Sequence, residues 1–158
     1  MTVSYRMSGG ERERFTGGAM QDVVIREEVP EVEDFLRLRV AAGMTGRSRQ
    51  AAERGLPNSL YGVVAVVDGV TVGMGRVVGD GGCNFEIVDV AVDPAYQRRG
   101  IGRRLVQSIM GYLDRAAPAG SYISLIGDVP ELYEPFGFRR TAPRSEGMHK
   151  WQGEAVRG

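Results

Sequence analysis

The stretch Val90-Ala91-Val92-Asp93-Pro94-Ala95-Tyr96-Gln97-Arg98-Arg99-Gly100-Ile101-Gly102 constrains this chain more than any other segment. An apolar strand ends, Pro94 breaks it, and a glycine-containing loop enters a helical pattern. Backbone N–H groups at a helix start lack intrahelical partners and point outward. Together with the helix dipole they favour phosphate. Gly100 and Gly102 remove the Cβ atoms that would keep a diphosphate away from the main chain. Arg98, Arg99, Arg103 and Arg104 add positive charge. Two familiar phosphate loops do not fit. A Walker A loop needs Lys after its glycine, and the sole lysine is Lys150. A dinucleotide fingerprint needs a third glycine, and position 105 is Leu. A third kind of diphosphate loop is expected.

The rest of the chain sets the frame for that loop. Its 158 residues suit one domain. Cys83 and His149 are each alone, which excludes an intrachain disulfide and leaves zinc short of its usual ligands, so no metal is expected. The formal net charge is zero, which argues against a general nucleic-acid footprint. No apolar run is long enough for a membrane span, and the N-terminus lacks the apolar core of a signal peptide. A cytoplasmic location, with no membrane partner, is the expectation. Residues 1–20 carry two Gly pairs and several charges but few large apolar side chains, so burial cannot offset their ordering entropy. They read as a flexible leader, 21–152 as the domain, and 153–158 as a flexible tail.

Within the domain the hydrophobic period changes several times. Asp22–Arg26 reads as a strand. Pro30 opens a helical pattern carried by Val32, Phe35, Leu36 and Val40 and stopped by Gly43. Ser48 can cap a second helix that ends at Gly55. Tyr61–Val67, Val70–Val78 and Asn84–Val92 read as an antiparallel meander, turned at Asp68-Gly69 and at 79–82. Arg99–Ala116 is the clearest helix, with Ile101, Leu105, Ile109, Met110 and Leu113 as its apolar stripe. Tyr122–Ile126 is a strand. Asp128-Val129-Pro130-Glu131 fits a capping box that starts a short helix bearing Leu132, Tyr133 and Phe136. Gly137 suits its left-handed C-terminal position, and a final strand or hairpin is expected from Phe138 to Trp151.

The hexapeptide Gln97-Arg98-Arg99-Gly100-Ile101-Gly102 resembles the Q/R-x-x-G-x-G/A loop of the GNAT superfamily of acyl-CoA-dependent N-acyltransferases. The strand end Val90, Val92, Pro94 and the later Tyr133–Phe138 (YEPFGF) share that likeness, which covers about residues 21–152. Gly147-Met148 is similar to the tail of a bacterial and plastid branch acting on small amines. The resemblance implies an α+β fold. Its mixed, mainly antiparallel sheet is splayed between the fourth and fifth strands and flanked by about four helices. It implies acetyl-CoA as cosubstrate, with its diphosphate on the amides of Arg98 to Arg103 beside Gln97. The pantetheine arm then lies along Val90, Ala91 and Val92. A backbone N–H there can polarise the thioester carbonyl, an oxyanion-hole arrangement. Tyr133 matches the family's general acid, and a phenol near 10 lies close enough to a thiol near 8.5 for proton transfer, both values being about those of free groups. Dimerisation is common in such proteins, but nothing in the sequence specifies its surface.

The base is open between two carboxylates. Glu86 stands at the spacing of the general base in histone-type members, and a base is needed because ammonium cannot attack. Asp89 lies between Val88 and Val90, where a charge wants a partner or a role. Alternation puts the two on opposite faces unless a bulge intervenes. Asp128 stands where many relatives carry Asn, and a helix N-cap is the role its type favours. Cys83 has no base nearby in sequence, and His149 reads as a terminal strand residue. Phe35, Leu38, Met44, Tyr61 and Met74 are core or acceptor-pocket candidates. Three functions compete: direct acetyl transfer to the primary amine of a small molecule, acetylation of a protein lysine or N-terminus, and non-enzymatic acyl-CoA sensing. A closed pocket fits the first and an open groove the second.

Overall fold

A computed structural model describes residues 22–153. The expected leader and the last residues of the expected tail lie outside that range. The elements run β1 (Val24–Arg26), α1 (Val32–Ala41), α2 (Arg49–Gly55), β2 (Tyr61–Val67), β3 (Val70–Gly79), β4 (Asn84–Val92), α3 (Ile101–Ala116), β5 (Tyr122–Leu125) and α4 (Pro130–Tyr133). They form a five-stranded sheet in sequence order. Neighbours are antiparallel from β1 to β4, and β4 pairs with β5 in parallel. A parallel pair needs a crossover, and α3 supplies it.

Helices cover both faces. Ile101, Leu105, Ile109 and Leu113 of α3 pack on Val63, Val67, Val77, Phe85 and Ile87. Phe35 and Leu38 of α1, with Ala52 of α2, pack on Val64, Val66, Met74 and Ala91. β2 is therefore buried along its whole length, which is why it reads as an unbroken apolar run. Among the described residues no helix is long and apolar enough to cross a membrane.

One irregularity shapes everything near the cleft. Met74 pairs with Ala91 and Arg76 with Val88, so two steps on β3 face three on β4. Asp89 occupies the extra step at φ +58°. That is a β-bulge. Before it, Phe85 and Ile87 point to α3; after it, Val90 and Val92 do, while Ala91 faces α1. The bulge thus brings Glu86 and Asp89 to the same face of β4. Pairing with β5 stops at Ile87 and Leu125. Beyond it the two strands part.

Three sequence expectations need correction. Val129, not Asp128, is the N-cap of α4, and no side chain caps that helix. Pro130 at the first turn presets φ and has no N–H to satisfy, so a capping carboxylate gains little. No strand forms between Phe138 and Trp151. Instead Ser145 N–H donates to the Thr141 carbonyl in a local turn. The segment is polar and interrupted by Pro143 and Gly147, with no alternating apolar face to hold it on the sheet. Finally, α3 starts at Ile101 rather than Arg99, because Arg98 and Gly100 are both left-handed.

Candidate active site

The parting of β4 from β5 leaves a cleft of about 430 Å³. It falls in the range of small-molecule clefts, about 300–1,000 Å³. Val88–Val92 form one wall, Ile126–Val129 another, and Leu132 and Tyr133 of α4 reach in from above. Ala42 and Met44, in the connection from α1 to α2, close one end.

The opposite end is the Gln97–Gly102 loop. The sequence builds it stepwise. Asp93 accepts a hydrogen bond from Ala95 N–H at 2.9 Å and starts a 3-10 turn over Pro94–Tyr96. Gln97 folds back and donates through Nε2 to the Val92 carbonyl at 3.0 Å. Arg99 donates to the Ala95 carbonyl, with its guanidinium over the Tyr96 ring. Gly100, at φ +76°, turns the chain into α3, whose N-terminus has no side-chain cap. Across the junction, Arg104 N–H donates to the Gly100 carbonyl, leaving the three helix amides before it for another acceptor. A Cβ on Gly102 would stand 3.7 Å from Leu132 and 3.9 Å from Val92, in ordinary contact with the cleft walls. Gln97, Arg98, Gly100, Ile101 and Gly102 all line the cleft with Val90, Ala91 and Val92; Arg99 and Arg103 are exposed beside it. This end has the donors and the space for a diphosphate, and the strand wall has room for an extended chain.

Tyr133 is 8% exposed and lines the cleft. Its ring sits edge-on to Phe138 and lies against Gly127, where a Cβ would come within 3.2 Å of Tyr133 Cε2. Burial pushes the phenol above its ordinary value, which keeps it protonated. Tyr133 also borders a second groove of about 490 Å³ between β5 and the segment Phe138–Gly147.

The two carboxylates have different surroundings. Asp89 is buried, and both of its oxygens are engaged. Arg39 Nη1 donates to Oδ1, and Arg76 donates to Oδ2 through Nε at 2.8 Å. Glu86 is half-buried, in register with Ser124 of β5 where the strands are about to part. It does not line the cleft itself. Among the described residues, no side-chain hydrogen bond or ion pair is formed by its carboxylate. Of the apolar candidates, Met44 lines the cleft, whereas Phe35, Leu38, Tyr61 and Met74 belong to the core. Cys83 is exposed, and His149 stacks edgewise on Trp151; neither lines the cleft. Arg39 and Arg76 escaped the sequence reading. The signal for Arg39 was present: it follows Phe35 by four residues, so it lies on the buried face of α1.

A sheet splayed at a parallel β4–β5 pair, with an uncapped helix end and a buried tyrosine sharing the gap, defines the GNAT fold. The profile of the acetyltransferase (GNAT) domain matches residues 58–140. A probable acetyltransferase from methicillin-resistant Staphylococcus aureus is 42% identical, covers 83% of this chain and 100% of its own, and superposes with a TM-score of 0.80. A GNAT family acetyltransferase from Streptococcus pneumoniae is 28% identical over 84% of this chain and 100% of its own, with a TM-score of 0.70. A histone acetyltransferase of Glycine max is 31% identical over 77 residues, 49% of this chain. The chain spans about a third of that relative's length, 33%. The protein belongs to the GNAT acetyltransferase family.

Proposed function

We propose that the protein transfers an acetyl group from acetyl-CoA directly to a primary amine, and that the amine belongs to a small molecule. One observation carries the acetyl transfer: a single cleft holds free helix amides at one end and a buried tyrosine further along; its volume of about 430 Å³, within the range of small-molecule clefts, supports the small acceptor. Amides from Arg98 to Arg103 hold the diphosphate, and the pantetheine arm follows Val90 to Val92. The amine nitrogen attacks the thioester carbonyl carbon, and a β4 backbone N–H stabilises the oxyanion. Glu86, through water, takes the proton that nitrogen loses. Asp89, held by two guanidiniums, has no free oxygen for that task. As the C–S bond breaks, Tyr133 gives its proton to the departing sulfur. Burial weakens the phenol as an acid, but it penalises the leaving thiolate too, so the proton moves as the bond parts.

A second reading is acetylation of a peptide lysine or N-terminus. Ile126, on the cleft wall where the strands have parted, is 75% exposed, so that edge of the splay is open rather than roofed. The Glycine max relative carries the name of a histone acetyltransferase. A panel of small amines and lysine peptides, incubated with acetyl-CoA while thiol release is followed, separates the readings. Saturable release with a small amine at lower KM than any peptide is expected. Preference for a peptide would favour the second reading. No release with any acceptor, alongside CoA binding, would leave a sensor.

A further inference from the structure

We infer that Arg39, Asp89 and Arg76 form a charge clamp that fixes the β4 bulge, making Asp89 a positioning residue for acetyl transfer rather than its base. This rests on the proposed function. Arg39 and Asp89 are the charged residues buried among those described, at 3% and 8% exposure. Asp89 holds a left-handed backbone conformation that residues other than glycine adopt rarely. Its side chain is fastened from two elements at once. Arg39 comes from α1, and Arg76 comes from β3, opposite the bulge. Arg76 also donates to Ser59 Oγ at 2.7 Å, and both guanidiniums lie over the Phe35 ring, 5.5 and 5.8 Å from its centroid. Buried ion pairs are often no more stabilising than apolar residues of the same volume, so stability alone does not explain such a cluster. What it supplies is direction: forked donors accept one carboxylate orientation.

The location gives that direction a use. β4 leaves β5 just before Asp89, and the residues that follow form the cleft wall where the thioester carbonyl would meet a backbone donor. Arg39 has a second hold. Its Nε and Nη2 donate to the Thr45 carbonyl at 2.9 and 2.7 Å, next to Met44 at the far end of the cleft. One clamp therefore sets both the strand that faces the acyl group and the connection that faces the acceptor. The diphosphate loop lies outside it.

The full-length chain carries the test, with Asp89→Asn and Arg76→Lys. Lysine keeps the charge of Arg76 but cannot span Asp89 and Ser59 with one planar fork. Amide exchange at Val88–Val92 should speed up in both variants. CoA affinity by calorimetry should stay within about threefold, while kcat for the best amine of the panel falls about 10–100-fold, as a misplacement of about 1 Å does. The acidic limb of the pH–rate profile should not move, because the base is elsewhere. Loss of that limb in Asp89→Asn would make Asp89 the base and overturn the inference. Should Asp89→Asn fail to fold, Arg76→Lys decides alone: wild-type exchange at β4 overturns the clamp whatever the activity. Wild-type protein that acetylates no amine would instead sink the proposed function, and exchange would still report on the clamp.

Discussion

Tyr133 and Arg39 show what one side chain can and cannot announce from sequence. Tyr133 was legible because it sits in a motif, YEPFGF, whose order after the helix and strand fixed its place. Its ring is held between Phe138 and Gly127, so removing only the hydroxyl should leave the packing intact. Tyr133→Phe should keep its melting temperature and CoA affinity and lose about 10²–10⁴ in kcat, the usual worth of general acid catalysis. The pH dependence has a definite sign. A general acid must be protonated, and burial raises this phenol above the free value of about 10. The fall in rate that Tyr133 causes should therefore lie above pH 10 and be absent from the phenylalanine variant. A wild-type fall near pH 8 that disappears in Tyr133→Phe would contradict both the shift and the role. Arg39 was illegible only in its partner. Its place on the apolar face of α1 is a matter of spacing, but the contact with Asp89 spans 50 positions and needs the bulge to exist.

Elements were read well where a local period carried the information. The Asp68-Gly69 turn forms with both residues left-handed, and Ser48 caps α2 through Ala51 N–H at 3.1 Å. The misses arose where tertiary pairing decides. Asp89 breaks the alternation of Phe85 and Ile87 and so leaves room for a bulge, but only the pairing with β3 decides that one forms there. Phe138–Trp151 is a different case: its polar composition, Pro143 and Gly147 already weigh against a strand, and the expectation of one gave them too little weight. The loop before α3 belongs to the first kind, and it admits a sharp test. A Cβ on Gly102 meets only ordinary contacts with Leu132 and Val92 inside the protein. Gly102→Val should therefore fold, since helix propensity favours Val over Gly at this position of α3. Its branched side chain would stand where a diphosphate must approach the amides of α3. CoA affinity should fall at least tenfold by calorimetry, about 1.4 kcal/mol or more. Equal affinity in a folded variant would remove the diphosphate from this loop.

Across the whole molecule, α3 joins stability to function, and the two can be separated along its length. Its N-terminal end offers amides to the cleft; its middle is buried against the sheet. Ile109, fully buried, lies eight residues beyond Ile101, about 12 Å along the axis. Ile109→Ala removes core volume without touching the cleft. The expected loss is about 2–5 kcal/mol, against a total stability of about 5–15 kcal/mol for a native domain. The variant should thus remain folded at 25 °C with its melting temperature lowered by roughly 4–20 °C, at about 2–4 °C per kcal/mol for a chain of this size. Saturating CoA stabilises whatever folded state binds it, by about 2.7 kcal/mol at a hundredfold excess over Kd. Ile109→Ala should therefore start lower than wild type and rise by the same increment when CoA is added. Gly102→Val should show the converse: a melting temperature near wild type without CoA and, at the same CoA concentration, at most about half the wild-type rise, because a Kd at least tenfold weaker leaves no more than about 1.4 kcal/mol of stabilisation. Loss of the CoA increment in Ile109→Ala would mean that the amide end depends on packing two turns away, and the cleft could then not be treated as a preformed site on a rigid scaffold.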